Sequence, residues 1–87
     1  MFDRDVLELC ALLTLLVKAM VAGSDTVSVT PILSGGPAIV LLLRVKQGVD
    51  LGKVIGKQGK AERALRLLVQ AIGDEQNRLY QLDIAAL

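Results

Sequence analysis

Residues 54–60 read Val-Ile-Gly-Lys-Gln-Gly-Lys, and this short stretch decides the prediction of the fold. Its two glycines, Gly56 and Gly59, bracket two residues, so the backbone can turn sharply with no side chain at either flank of the turn. A phosphodiester can therefore approach the main chain closely. The turn leads into a predicted helix, whose first N–H groups are unpaired and lie at the positive end of the helix dipole. The segment predicts an anion-binding loop between two helices.

Outward from this loop, the spacing of apolar residues predicts three helices and three strands, because helices repeat at 3.6 residues and strands at two. In chain order they are a helix at 3–21 ended by Gly23, a strand at 26–33, a turn at 34–37, a strand at 38–46, a short helix from 50 or 51 to 55, a helix from 60 to about 72 ended by Gly73, a polar loop at 74–78 and a strand at 79–85. The predicted fold is α+β, in the order α-β-β-α-α-β.

The first two strands differ in the positions that they predict within the sheet. Val27 and Val29 alternate with polar residues, and Pro31, which cannot donate to a ladder, places this strand at an edge or a bulge. The strand at 38–46 is apolar on both sides for most of its length and is predicted to be central. The turn Ser-Gly-Gly-Pro at 34–37 joins the two strands as a hairpin.

The composition of the chain bounds its chemistry. Its 87 residues suit one domain, predicted to span residues 1–87, and 53% hydrophobic with only 2% aromatic residues predicts an aliphatic core. One cysteine, Cys10, and no histidine leave no internal disulfide, no His/Cys zinc site and no Ser-His or Cys-His nucleophile pair. Cys10 lies in an apolar run and is interpreted as a small buried hydrophobe. We therefore expect no enzyme, no cofactor and no metal site.

The longest apolar stretch, from Val6 to Val21, predicts a packed helix rather than a membrane segment. It is shorter than the roughly 20 residues that a span needs and is interrupted by Glu8 and Lys18. The first residues are net acidic, whereas a signal peptide opens with basic ones. We expect a cytoplasmic protein.

Basic residues are concentrated around the loop. The net charge is only +1, but residues 44–66 contain seven of the ten basic residues and two acidic ones, which gives this segment +5 and the rest of the chain −4. The seven basic residues are Arg44, Lys46, Lys53, Lys57, Lys60, Arg63 and Arg66. This distribution indicates an anion-facing side, although a solvated helix face has a similar composition.

The loop in this context resembles the KH domain. Apolar Val54 and Ile55 precede it, a basic helix follows it, and strands flank the helix pair. The KH core has the same order, strand–helix–GXXG–helix–strand, and its loop clamps about four nucleotides. The additional helix and strand precede this core, which is the type II arrangement. The leucine-rich first helix and the segments 52–60 and 63–66 are similar to those of KhpA, a bacterial family of one-domain KH proteins.

This resemblance implies a three-stranded sheet with helices packed on one face, in a cytoplasmic bacterial protein. The implied function is binding of single-stranded RNA with little sequence selectivity, in post-transcriptional regulation or as an RNA chaperone. It also implies a homodimer that can pair with a larger KH-containing protein of the Jag/KhpB type. The RNA-binding residues that it indicates are Lys53, Ile55, Gly56, Lys57, Gln58, Gly59, Lys60, Arg63 and Arg66.

Two features lower the expected affinity. Glu62 stands where KH domains commonly carry an aliphatic residue; it repels phosphate if it faces the groove, and pairs with Arg66 if it faces solvent. The two aromatic residues, Phe2 and Tyr80, are remote from the loop in sequence, so base stacking is not expected. Bases would lie on aliphatic residues, although a place in the core is the favoured prediction for each one taken singly; these residues are Val54, Ile55, Leu41 and Leu43.

The alternative function is that of an interaction subunit that uses the KH fold to dimerise or to dock a larger partner. Leu7, Leu12 and Leu15 widen the apolar arc of the first helix beyond one buried face. These leucines either extend the core or form the interface of a homodimer.

Overall fold

The computed structural model describes residues 2–21 and 26–87 and confirms the predicted order of elements. The helices are α1 (Arg4–Met20), α2 (Val49–Ile55) and α3 (Lys60–Gln76), and the strands are β1 (Ser28–Leu33), β2 (Ala38–Val45) and β3 (Leu79–Ala86). β1 begins two residues later than predicted, and α2 begins one residue before the earlier of its two predicted starts, 50 and 51. The predicted helix stop at Gly23 lies outside the described residues.

The three strands form one mixed sheet in the order β1-β2-β3. β1 and β2 are antiparallel, with Pro31 opposite Leu41, and β2 and β3 are parallel, with Leu41 opposite Leu82. β2 is therefore central. Pro31 lies on an edge strand, where a missing N–H is tolerated. The predicted hairpin and the predicted positions of both strands are confirmed.

The hydrophobic core lies on one face of this sheet. Leu41, Leu43 and Val45 on β2 are fully buried, whereas Arg44 between them is exposed. Because successive side chains of a strand point to opposite faces, the helices cover one face and leave the other open. The helices contribute Val6, Leu9, Cys10, Leu13 and Val17 from α1, Val54 from α2, and Leu65 and Val69 from α3.

Asp3 fixes the start of α1. Its carboxylate accepts a hydrogen bond from the backbone N–H of Val6 at 3.3 Å and thereby caps the helix. It also accepts two hydrogen bonds from the guanidinium of Arg78, which holds the pKa of Asp3 below its usual value. The first helix is thus tied to the turn before β3.

α3 is longer than its sequence predicts. The predicted stop at Gly73 is wrong, because the helix continues to Gln76 and ends at Asn77, whose φ of 54° is left-handed. A side-chain carbon on Gly73 would lie 2.6 Å from the carbonyl oxygen of Arg78. This glycine therefore allows close packing between the helix and the chain that follows it. The extra turn replaces much of the loop predicted at 74–78.

Candidate nucleic-acid interface

The loop between α2 and α3 has the backbone conformation that its two glycines permit. Gly56 and Gly59 have φ values of 79° and 72°, and Gln58 is also left-handed, at 57°. A side-chain carbon on Gly56 would lie 2.7 Å from the backbone nitrogen of Ala61. Since only glycine fits at this point, the loop passes directly against the first turn of α3.

Backbone donors remain free at the tip of this loop. The N–H groups of Gly56 and Gly59 donate to the carbonyl oxygens of Gly52 and Gly56, at 2.8 and 3.1 Å. In the described part of the chain, the N–H groups of Lys57 and Gln58 meet no backbone acceptor. Both of these side chains are exposed. The tip therefore offers two N–H donors and a cation at a helix N-terminus, an arrangement suited to phosphate.

Arg63, in the first turn of α3, forms a hydrogen bond that stabilises the loop. Its Nη1 donates to the backbone carbonyl oxygen of Gln58 at 2.7 Å, while the side chain remains exposed. A guanidinium has five N–H donors, so this bond leaves others for an anion. Arg63 is therefore both a support for the left-handed residue and a positive charge beside the loop.

Most charged residues near the two ends of α3 oppose its dipole, and Glu62 in the first turn is the exception. Lys57, Lys60 and Arg63 lie around the positive N-terminus, whereas Asp74 and Glu75 lie near the negative C-terminus. Each such charge costs about 0.3–1 kcal/mol at an exposed position. An anion at the loop would offset the cost at the N-terminal end. The basic residues at this end of the helix are therefore suited to an anion, at some expense in stability.

Glu62 pairs with Arg66, as expected of a solvent-facing side chain, although it is only 32% exposed. Oε2 of Glu62 lies 3.5 Å from Nε of Arg66, one turn later on α3. Nη1 of Arg66 also donates to the backbone carbonyl oxygen of Leu82 on β3. The guanidinium therefore spans the gap between α3 and β3. The sequence does not predict this contact with Leu82, because the acceptor is a backbone carbonyl, which every residue type has.

Three of the four aliphatic residues expected beneath the bases belong to the core instead. Val54, Leu41 and Leu43 have no exposed surface, since helices cover the inner face of β2, whereas Ile55 is half-buried beside the loop. The favoured alternative for these three residues, a place in the core, is therefore confirmed. Of the predicted RNA-binding residues, Ile55 to Lys60 and Arg63 group at the loop, Lys53 is exposed on α2, and Arg66 lies two turns along α3.

The described residues offer little catalytic chemistry. Residues 2–21 and 26–87 contain no group of three His, Cys, Asp or Glu side chains that could hold a metal ion. Cys10 is buried, and burial raises the pKa of its thiol, which makes it a poor nucleophile. Within the same residues, every helix is too short or too polar to cross a membrane.

The element order, the mixed sheet and the glycine-bracketed loop before α3 define a KH domain in the type II arrangement. Comparison with known families leads to the same class, since the family model described as KhpA/KhpB, KH domain, matches residues 11–84. The chain belongs to this KhpA/KhpB family of KH domains.

Relatives of similar length bear the name RNA-binding protein KhpA. The chain is 42% identical to the one from Aquifex aeolicus over 81 residues, which cover 93% of this chain and 92% of the relative. It is 38% identical to the one from Borreliella burgdorferi over 73 residues, 84% of this chain and 87% of the relative. The one from Clostridium acetobutylicum is 36% identical over 73 residues, 84% and 95% of the two chains. Because these are RNA-binding proteins with a KH domain, the expectation of a non-enzymatic chain is confirmed.

Proposed function

We propose that this chain binds single-stranded RNA through the loop at 56–59 and the basic first turns of α3, as one KH domain spanning residues 1–87. The name of the relatives, RNA-binding protein KhpA, supports this class of ligand. The observation that carries the proposal is the loop tip, where the free N–H groups of Lys57 and Gln58 lie at the start of a helix. Phosphate is the group that these donors fit.

The same contacts favour low sequence selectivity. Backbone donors, lysines and Arg63 recognise phosphates, which carry no sequence information directly. Lys53, Lys57 and Lys60 are exposed and can follow the backbone of a bound strand, while half-buried Ile55 offers apolar contact beside the loop. In this proposal the protein acts in the cytoplasm, as a post-transcriptional regulator or an RNA chaperone.

The chain contains a matched pair of dipeptides with which to test the loop. Lys-Gln occurs at 46–47 and again at 57–58, and all four side chains are exposed. Replacing Lys57 and Gln58 by Asp puts two carboxylates at the loop tip and leaves both glycines in place. Asp is among the residues that most readily adopt the left-handed conformation of Gln58. The same change at Lys46 and Gln47 alters the net charge equally before α2.

Fluorescence anisotropy with a short single-stranded RNA measures the outcome. The Lys57→Asp, Gln58→Asp variant should lose at least about thirtyfold in affinity, because phosphate contacts are replaced by repulsion. The Lys46→Asp, Gln47→Asp variant should lose less than about threefold, and circular dichroism should show both variants folded. Equal losses would mean that net charge rather than the loop drives binding, contrary to the proposal.

Exposed leucines favour a second function, self-association. Leu7, Leu12 and Leu15 on α1 are 54%, 39% and 69% exposed, so the alternative that they extend the core is wrong. Leu67 and Leu68 on α3 are exposed as well. Large exposed apolar patches are uncommon on monomers and usually mark interfaces. We propose that these leucines are buried in a homodimer, and that the chain can also pair with a larger KH protein of the Jag/KhpB type, which the KhpA/KhpB family name supports.

Sedimentation equilibrium at micromolar concentration tests this second proposal. The wild-type chain should have the mass of a dimer, and Leu7→Gln with Leu15→Gln should give a folded monomer. Leu33→Gln is the control, because Leu33 is 68% exposed but lies on β1. A monomeric wild-type chain, or a double variant that remains dimeric, would reject the proposed interface.

A further inference from the structure

α1 and α3 leave a groove between them on the face of the molecule that is turned away from the sheet. The groove contains a hollow of about 290 Å³, where the first half of α1 lies beside the end of α3. The residues that line this hollow are Asp5, Glu8, Leu9, Leu12, Ile72 and Gln76. Two helices therefore form the walls of an open cleft that other parts of the described chain do not fill.

The interior of this groove is apolar. Leu9 is buried and Ile72 is half-buried, whereas Leu12 on α1 and Leu68 on α3 are 39% and 37% exposed. Leu68 precedes Ile72 by four residues, so the two side chains lie on the same side of α3. Each wall thus carries a leucine that keeps more than a third of its surface in water. An occupant of the groove would bury both, which is favourable.

The end of the groove near the start of α1 is acidic. Residues 3–8 and 74–78, which meet there, contain five acidic and two basic residues, a net charge of −3. Both basic residues are already bound to carboxylates, in the pairs Arg4–Glu8 and Arg78–Asp3. The net negative charge therefore comes from carboxylates outside these two pairs.

Two of the remaining carboxylates flank the groove, one on each wall. Asp5 of α1 lines the hollow, and Glu75 follows Leu68 by seven residues, which places it on the same side of α3. Both side chains are exposed, and among the residues that the structure describes neither forms an ion pair. The groove therefore attracts a cationic occupant and repels an anionic one.

This groove is separate from the proposed RNA-binding surface. At 3.6 residues per turn, Ile72 lies about 180° around α3 from Arg63, which contacts the loop at 56–59. The two long sides of α3 thus differ in charge, since one follows basic residues and the other faces the acidic groove. An occupant of the groove would leave the loop accessible.

We propose that the groove between α1 and α3 docks an amphipathic helix of another protein, whose apolar face is flanked by lysine or arginine. The walls are helices of 17 residues, about 25 Å long, and apolar grooves bind helices through side chains spaced three and four residues apart. A second copy centred on the groove by two-fold symmetry would bring the same carboxylates against these. Leu12 and Leu68 also belong to the proposed homodimer surface, so the docked helix competes with self-association.

Two synthetic peptides of about 18 residues, the length of α1 and α3, test this proposal by fluorescence anisotropy. Both have leucines spaced alternately three and four residues apart, flanked by lysines in one peptide and by glutamates in the other. The wild-type chain should bind the lysine peptide at least about tenfold more tightly, and the difference should shrink as salt is raised.

Charge reversal at the groove provides the matched variants. Asp5→Lys with Glu75→Lys should reverse the preference for the lysine peptide. Asp50→Lys with Asp83→Lys changes the net charge equally on α2 and β3, outside the groove, and should keep the preference. Circular dichroism should show both variants folded. A preference that survives reversal at the groove, or is lost equally in both variants, would overturn the proposal.

Amide chemical shifts of the isotope-labelled wild-type chain locate the bound lysine peptide. The largest shifts should occur at Leu9, Leu12 and Ile72, while the loop at 56–59 barely moves. Equal affinities for the two peptides, or shifts on the open face of the sheet, would overturn the proposal without any variant. If the lysine peptide does not bind and the groove amides shift with protein concentration alone, a second copy covers the groove and the proposal is wrong.

Discussion

The tripeptide Lys-Gln-Gly occurs twice in this chain, at 46–48 before α2 and at 57–59 before α3. In both places the glycine has a positive φ, 95° at Gly48 and 72° at Gly59, and forms the N-cap of the helix that follows. Buried Val45 of β2 precedes the first tripeptide, whereas Gly56 precedes the second. The first leads into a helix of 7 residues and the second into one of 17.

The difference between the two copies shows that residue type alone does not make the site. In the first copy, the carbonyl oxygen of Lys46 accepts a hydrogen bond from the N–H of Leu51 at 3.1 Å. In the second copy, Gly56 lets the chain pass against Ala61, and Arg63 donates to the backbone carbonyl oxygen of Gln58. The preceding glycine and the long basic helix therefore distinguish the proposed phosphate-binding loop from the turn before α2.

The largest expected effect comes from changing the glycines. Gly56→Ala places a side chain on a residue with positive φ and brings its carbon within 2.7 Å of Ala61. It should therefore lower the free energy of unfolding by at least about 2 kcal/mol. RNA affinity should fall more than about tenfold. Gly48→Ala meets nothing within 4 Å and should cost about 1–2 kcal/mol of stability, with RNA affinity unchanged. Urea denaturation and anisotropy measure the two quantities. Similar losses of RNA affinity in both variants would contradict the proposal that only the copy at 57–59 binds RNA.

Arg63 donates a hydrogen bond to the second Lys-Gln-Gly copy, at 57–59, and to no residue of the first. Arg63→Gln removes both the charge and the bond to the Gln58 carbonyl and should weaken RNA binding about tenfold. Arg63→Lys keeps the charge, so the loss should be about threefold. Binding titrations at one salt concentration compare them. If Arg63→Lys binds RNA as tightly as the wild-type chain does, the hydrogen bond to the Gln58 carbonyl is not needed for binding.

The salt dependence of RNA affinity should distinguish Lys57 from Lys46. Lys57→Ala should reduce the slope of log affinity against log salt by about 0.7, which amounts to about fivefold at 0.1 M salt relative to 1 M. Lys46→Ala should leave the slope unchanged, because Lys46 lies before the short helix α2 and outside the loop at 56–59. Titrations at several salt concentrations give both slopes. A smaller slope for Lys46→Ala than for Lys57→Ala would indicate that Lys46, and not Lys57, contacts the phosphates.

The smallest expected effect concerns the acidic residue in the first turn of each helix. Glu62→Gln removes a carboxylate near the bound strand and should raise RNA affinity by up to about threefold, since the pair with Arg66 already offsets part of its charge. Asp50→Asn, on α2, should have no effect on binding. The same anisotropy assay measures both. A weaker Glu62→Gln variant would show that the carboxylate contributes to binding.

The parts of the molecule that the sequence predicted correctly are those that depend on local pattern. Apolar periodicity located the six elements, the two-sided apolar strand identified β2 as central, and Gly56 with Gly59 located the loop. Tertiary contacts were not predictable in this way. Gly73 was interpreted as a helix stop because its packing against the Arg78 carbonyl depends on the path of the chain after α3.

Other features were ambiguous in the sequence because a side chain or a backbone group can have either of two roles. Leu41, Leu43 and Val54 suit either a groove or a core, and only the position of β2 beneath the helices decides for the core. The bond between Arg66 and Leu82 joins a side chain to a backbone carbonyl 16 residues away. Sequence pattern carries no information about such a carbonyl.

Amide chemical shifts of isotope-labelled protein, recorded by NMR while single-stranded RNA is added, test the central claim most directly. The account predicts that the largest shifts occur at the N–H groups of Lys57 and Gln58 and over the first turn of α3, while those of Gln47 to Asp50 barely move. Shifts of equal size at the two Lys-Gln-Gly copies, or shifts confined to the first copy or to α1, would contradict the assignment of the loop at 56–59 as the RNA-binding element.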